Sequence, residues 1–252
     1  MIQNNVFLRK EDHRYFDLSN NEYRSVSAVL NEITEKFDAE VISKRCAGKG
    51  KYAGMTALEV KTQWAAIGKN SAEHGTNIHD ALERFSKHAE ILEEDVHLTP
   101  MIQTINADYR EYRKVHDECI LYHPEYKVAG TADKVLELGT RKIYADIEDY
   151  KTNNRKGIEY FSGYNKYFFE PVNHFSDCNF NRYALQLSIY GVMYERLTGN
   201  KIRSLWIRSI PPDNMLNHKR IPVPYLKSDA MNILENFSGV ILKSKPFEIP
   251  SF

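Results

Sequence analysis

Asp133, Asp149 and Lys151 are the residues of this chain whose types and spacing could do chemistry together. In IYADIEDYK the period of two of a β-strand places Ile143, Ala145, Ile147, Asp149 and Lys151 on one face. That face is apolar until it reaches the carboxylate and the ammonium. Asp133 ends the preceding extended segment, and the turn in LELGTRK, with Gly139, lets the two segments pair as a hairpin. Two carboxylates and a lysine at a strand end suit a hard cation held beside an activated water. A surface hairpin carrying a salt-bridged lysine would read the same way from these three residues alone.

Two helices offer partners. In SAEHGTNIHDALERFSKHAEIL the stripe Ile78, Leu82, Phe85, Ala89 and Leu92 faces a core, while Gly75, His79 and Glu83 stack four apart on a neighbouring face. A glycine one turn before a histidine admits another chain segment closely, and the imidazole can then point at the same cation. Glu83, one turn further on, could hold that imidazole from behind; a histidine satisfied within a core is the plainer alternative. From Asn181 a helix runs to Gly199, burying Leu185, Ile189, Val192 and Met193. On it Gln186 and Tyr190 project together, with Arg182 one turn earlier. Between the hairpin and this helix lie Tyr160, Phe161, Tyr164, Tyr167, Phe168 and Phe169, which read as core or as stacking platforms worth roughly 1–3 kcal/mol per unpaired base.

The remaining elements carry these residues. A capped helix places Val26, Val29, Leu30, Ile33 and Phe37 on one side; Thr56 and Glu59 form a capping box opening a helix through Trp64 and Ile67; Thr99-Pro100 opens another with Met101, Ile105, Tyr109, Tyr112 and Val115 inward. IRSLWIRSI and KRIPVPYL read as strands, and Ser228 caps a closing helix through Ile233, Phe237 and Ile241. Helices, a cluster of strands, a long helix, more strands and a last helix make one α/β domain. At 252 residues, 42% hydrophobic and 27% charged, the chain has the composition of an ordinary globular protein. No apolar run approaches the roughly 20 residues that span a bilayer, and the polar N-terminus MIQNNVFLRKEDHRYF does not read as a signal peptide, so a cytoplasmic location is expected. Cys46, Cys119 and Cys178 are isolated, which argues against zinc, an iron–sulfur cluster or a disulfide framework. Net charge is zero, yet Lys201, Arg203, Arg208, Lys219, Arg220 and Lys227 share their stretch with one acid, Asp213. Lys44, Arg45, Lys49 and Lys51 form a second basic strip. Either strip is suited to a phosphate backbone or to plain solvent.

GTNIH, GTADKV, IEDYKT and QLSIY, in this order and spacing, resemble the motifs of the PD-(D/E)XK nuclease superfamily, closest to its RecB-type and phage exonuclease branch. The likeness covers about residues 23 to 210, including SVSAVL and TALEVKTQW. It implies a single domain over residues 1–252 with a central mixed β-sheet flanked by helices, a restriction-endonuclease-like core. An N-terminal region of strands and helices, residues 1–95, would precede the core sheet and the Q-x-x-x-Y helix of residues 96–252. By the same resemblance Asp133, Asp149 and His79 are metal ligands and Lys151 the catalytic lysine. Gln186 and Tyr190 support the site and touch DNA, and Arg182, Arg208, Arg220, Lys49 and Lys51 are the bases set to hold it. Ala132 stands where the superfamily has its proline, and Asp149 where glutamate is common; an iron–sulfur variant is set aside by the scattered cysteines. The implied activity is Mg²⁺- or Mn²⁺-dependent hydrolysis of DNA with one or two ions, as an exonuclease of replication, recombination or repair, in a host cytoplasm if the source is viral. Single-stranded or duplex DNA ends would be the substrate, with a single-strand annealing or binding protein as partner. A structure-specific endonuclease and a non-catalytic nucleic-acid-binding module are the open alternatives.

Overall fold

A computed structural model describes residues 5–152, 158, 160–161 and 165–237 of the chain. Three short strands, β1 (Val6–Arg9), β2 (Arg14–Asp17) and β3 (Glu22–Ser25), form an antiparallel meander. Ser25 then caps α1 (Val26–Glu32), its hydroxyl accepting from the Ala28 amide, which satisfies one of the free amides of a helix start. This helix is shorter than its apolar spacing suggests: Ile33 is the C-cap and Phe37 lies beyond, exposed. After α2 (Ala39–Cys46) comes α3 (Ala57–His88), opened by the expected Thr56–Glu59 capping box. The sequence reads as two helices over this stretch, but the structure runs 32 residues without a break. Isolated glycines cost a helix only about 1 kcal/mol each, and no proline is present to stop it.

The next helix, α4 (Thr99–Ala107), also stops early. Tyr109 and Tyr112 follow it as buried residues and Val115 belongs to the strand after them. β4 (Lys114–His123), β5 (Val128–Leu138) and β6 (Tyr144–Lys151) form consecutive antiparallel hairpins, the second turning at Gly139 with φ 89°. A Cβ there would meet the Lys142 carbonyl oxygen at 2.2 Å, so only glycine closes this turn. α5 (Asn179–Thr198) ends at Gly199 in the left-handed conformation and returns the chain to β7 (Lys201–Ser209), parallel to β6; β8 (Lys219–Val223) and α6 (Lys227–Asn236) follow. Tyr164 and Ile241 lie outside the described residues.

Among the described residues the strands make one mixed sheet of eight, in the order β1-β2-β3-β5-β6-β7-β8 with β4 on the other side of β5. Helices cover both faces, the α/β architecture that the sequence implied. Against one face pack α1, α5 and α6, with Leu185, Ile189 and Met193 over Ala145, Ile147 and Leu205. Against the other pack α3 and α4, with Ile78, Leu82, Met101 and Ile105 around Leu136 and Tyr150. No helix of the described residues is long and apolar enough to cross a membrane.

Candidate metal centre

β5 pairs with β4 from Val128 opposite His123 to Glu137 opposite Lys114, with a break in the ladder at the Glu118–Asp133 step. Its second edge is divided. β3 takes Val128 and Ala129 in parallel, and β6 takes Lys134 to Leu138 in antiparallel register. Residues 130–133 between them have no strand partner on that edge among the described residues, so the sheet forks there. Asp133 stands at the fork. The expectation that it ends a strand is therefore corrected: it lies in mid-strand, and it is β6 that departs. Where the ladder stops, the Asp133 carboxylate replaces a backbone carbonyl, its Oδ2 accepting from the Tyr150 amide at 2.5 Å.

A second carboxylate, absent from the motif reading, shares the fork. Glu118 lies opposite Asp133 in the β4–β5 register, and its φ of 47° is left-handed, which is costly for a residue with a Cβ. The residue inverts the alternation of β4. Asp117, before it, accepts from Ser86 of α3, whereas Cys119, after it, joins the core against α5. β5 inverts in step: Ala132 joins the core against α5, whereas Lys134, two residues on, pairs with Asp117 under α3. The double inversion turns Glu118 and Asp133 to the side where α3 passes. One oxygen of each lies within 4.8 Å of the other and of a His79 ring nitrogen. A hairpin count would have found Glu118, since five residues back from His123 faces five residues on from Val128.

His79 reaches this point because α3 comes close at Gly75, where a Cβ would meet Thr152 Oγ1 at 2.9 Å. Its Nδ1 lies 3.3 Å from Asp133 Oδ1, and its ring meets Tyr150 edge-on with centroids 5.5 Å apart. Asp149 and Lys151 approach from the α5 side of β6, ion-paired to each other, with the Lys151 ammonium 4.8 Å from the centre of the Tyr183 ring. Asp149 Oδ2 is buried and, apart from that ammonium, has no polar partner among the described residues. Carboxylates and an imidazole gathered in this way are the donor set of a hard or borderline divalent ion. His79, Glu118 and Asp133 could hold one, with Asp149 adjoining.

Gathered this closely, the like charges of the carboxylates conflict. Burial, with Asp133 and Glu83 beside it, pushes Glu118 up to about 7. Burial and Asp133 likewise push Asp149 up to about 6, against the pull of Lys151. For Asp133 burial acts upward too, but His79, Lys151 and the Tyr150 amide outweigh it and hold it below the ordinary carboxylate range. Burial opposes charge on His79; Asp133 and Asp149 prevail and raise it to about 9.

The other expected site residues divide. Gln186 Nε2 donates to the Tyr190 hydroxyl at 3.1 Å, and the buried Tyr190 ring packs onto Gly130, where a Cβ would meet Cε1 at 2.7 Å. The pair thus seats α5 on β5 three residues before Asp133. Arg182 donates to Asn31 Oδ1 at 2.5 Å and is half-buried. Glu83 is ion-paired with Lys87, while the imidazole contact of His79 is to Asp133, so the expected role of Glu83 behind the ring is corrected. Arg208 is 1% exposed; Nε donates to Glu148 at 2.6 Å and Nη1 to Asp108 at 2.8 Å. Arg220 donates to the other Glu148 oxygen at 2.6 Å. Both arginines neutralise a carboxylate buried under the sheet, which removes the strip from Lys201 to Lys227 as a phosphate surface at these two positions. Lys49 and Lys51 are exposed, and of the aromatic stretch Tyr160, Phe161, Tyr167 and Phe169 are exposed while Phe168 is core.

Comparison of the sequence with protein families gives no match, and comparison with curated proteins gives none either. Among solved structures, a protein assigned as an exonuclease from Eubacterium rectale is similar at 13% identity over 86% of this chain and 79% of that one, with a TM-score of 0.42. An alkaline exonuclease from Laribacter hongkongensis is similar at 13% identity over 84% and 90%, with a TM-score of 0.30. Likenesses of this size carry no argument about the chemistry of this chain, which rests on the geometry above.

Proposed function

We propose that this chain is a Mg²⁺- or Mn²⁺-dependent deoxyribonuclease that hydrolyses phosphodiester bonds, acting as an exonuclease on DNA ends in replication, recombination or repair. The observation that carries the reading is the convergence at one fork of the sheet of Asp133, Glu118, His79, Asp149 and Lys151. His79, Glu118 and Asp133 would hold the cation, with Asp149 adjoining. A divalent ion so held lowers the pKa of a water by several units from about 15.7 and neutralises charge on the phosphate. In the metal-free protein Lys151 is an ammonium: burial opposes the charge, but Asp149 and Asp133 raise its pKa above the ordinary lysine value. It therefore serves as a hydrogen-bond donor that orients the attacking water and the phosphate, steadied by Asp149 and the face of Tyr183. Gln186 and Tyr190 set the height of α5 above the fork and so place Lys151 and its neighbours.

The test is digestion of end-labelled single strands, duplexes and closed circles with Mg²⁺, Mn²⁺ or a chelator. Linear DNA should be shortened from its ends, circles left intact, and the chelator should abolish cleavage. Opened circles would show endonuclease action instead. Lys151→Ala should lower the rate at least a hundredfold with the fold retained; a wild-type rate in that variant sinks the mechanism.

A further inference from the structure

A cavity of about 750 Å³ opens beside the metal cluster, with His79 and Glu118 in its floor. One wall is α3, where it presents Asp80 and the Glu83–Lys87 ion pair; the opposite wall is the β1–β2 hairpin, which presents Phe7, Leu8 and, at the rim, Lys10. The hairpin is fixed in place. Its Tyr15 hydroxyl lies 3.0 Å from Thr131 Oγ1 of β5, two residues before Asp133. Phe7 lies opposite Phe16, ring centroids 6.2 Å apart, and Phe16 is covered by the Arg9 guanidinium 4.4 Å from its centre. Phe16 is thereby buried, but Phe7 is left 45% exposed in the cavity wall. A large ring left nearly half open beside a charged centre is poorly used by the fold, and concave apolar walls next to a few polar groups are the usual form of a ligand site.

If the metal centre cuts DNA as proposed, the strand must pass this opening, and the walls decide what form it takes. The α3 wall offers a phosphate no excess of positive charge, because Asp80 lies there beside the Glu83–Lys87 ion pair, so the backbone runs along the floor and the Lys10 rim, leaving the apolar wall for a base. Inside a double helix both faces of a base are covered by its neighbours; only an unpaired nucleotide can lay a face on an aromatic ring. The geometry points to a subsite for one unpaired nucleotide of a DNA strand, its base stacked on Phe7 and its phosphate directed toward the centre at His79 and Glu118. The β1–β2 hairpin is then the element that selects single strands at the site.

The experiment uses the full chain with Ca²⁺ in place of Mg²⁺ and two probes: a fluorescein-labelled oligothymidylate for anisotropy, and a single strand carrying 2-aminopurine for stacking. The wild type should bind the oligothymidylate and quench 2-aminopurine. Phe7→Ala should weaken binding about 5- to 100-fold and lose the quench. Phe7→Leu, which keeps an apolar side chain but no ring, should lose the quench as well, and Phe7→Trp should keep both. Thermal melts of the variants should show them folded and lowered by only a few degrees at most, since the ring is nearly half open to solvent and its loss removes one cross-strand pair with Phe16. A blunt duplex of equal length should compete more weakly than the single strand. Equal affinity and equal quench in wild type, Phe7→Ala and Phe7→Leu overturn the subsite, as does a wild type that binds no oligothymidylate or a duplex that competes as well. A wild type that binds and quenches but never cuts DNA with Mg²⁺ would refute the nuclease reading and leave the subsite standing.

Discussion

Gly75 sets the distance between the helix that carries His79 and the strand end that carries Asp149 and Lys151. In Gly75→Ala the new Cβ would lie 2.9 Å from Thr152 Oγ1, where ordinary contact begins at 3.4 Å, so the two segments must part by about 0.5 Å. Rotation of Thr152 offers little relief. Turning its methyl group toward the new Cβ is worse, and turning the hydrogen there drives a heavy atom into space that a hydrogen fills now, in a residue only 6% exposed. Misplacement by about 1 Å costs a catalytic site on the order of a hundredfold, so half that distance should lower kcat/KM roughly tenfold. Stability should not follow. Alanine is better than glycine in mid-helix by about 1 kcal/mol, which offsets the strain of the contact. The expected pattern is a slower enzyme with an unchanged or raised melting temperature. Thr152→Ala removes the hydroxyl that the new Cβ meets, so the double variant should recover most of the loss, a coupling of about 1 kcal/mol. Initial rates on DNA at concentrations below KM, with thermal melts of all four proteins, complete the cycle. Wild-type kcat/KM in Gly75→Ala refutes the reasoning, and so does a double variant no faster than the single.

Two further outcomes follow from the charges. Arg208→Ala should destabilise the fold by about 3–5 kcal/mol, because it leaves Glu148 buried beside one arginine instead of two; chemical denaturation measures this, and the salt dependence of DNA binding should keep its slope. Metal binding should release protons. His79 is raised to about 9, Glu118 to about 7 and Asp149 to about 6 in the metal-free protein, and each must be deprotonated to ligate. Affinity should therefore fall steadily as pH drops from 9 to 6, and at pH 7.5 calorimetry in two buffers of different ionisation enthalpy should show about one proton released, chiefly from His79. A pH-independent Kd with no released proton would mean that these side chains are not the ligands.

The candidate residues are far more legible in the sequence than their placement. Asp149 and Lys151 are two residues apart on a strand, and His79 is one turn from Gly75, so period alone puts each pair on one face. For Asp133 the sequence suggests a strand end, because the fork depends on β3 pairing with Val128 and Ala129 from about a hundred residues away. Local charge misled in the same way. Lys201 to Lys227 contains a single acid, which reads as a basic strip, yet Arg208 and Arg220 find Glu148 and Asp108 on other elements. In IEDYK the eye follows Asp149 and Lys151; the alternate residue, Glu148, points through the sheet and determines where those arginines go. Glu118 shows the limit from the other side. Its place opposite Asp133 follows from the turn at PEYK, but its approach to the site requires the left-handed φ that inverts β4 together with β5. An inversion in one strand alone would have turned one carboxylate to α3 and left the other in the core against α5. The site exists because both strands give way at the same step, where the sheet has already run out of partners.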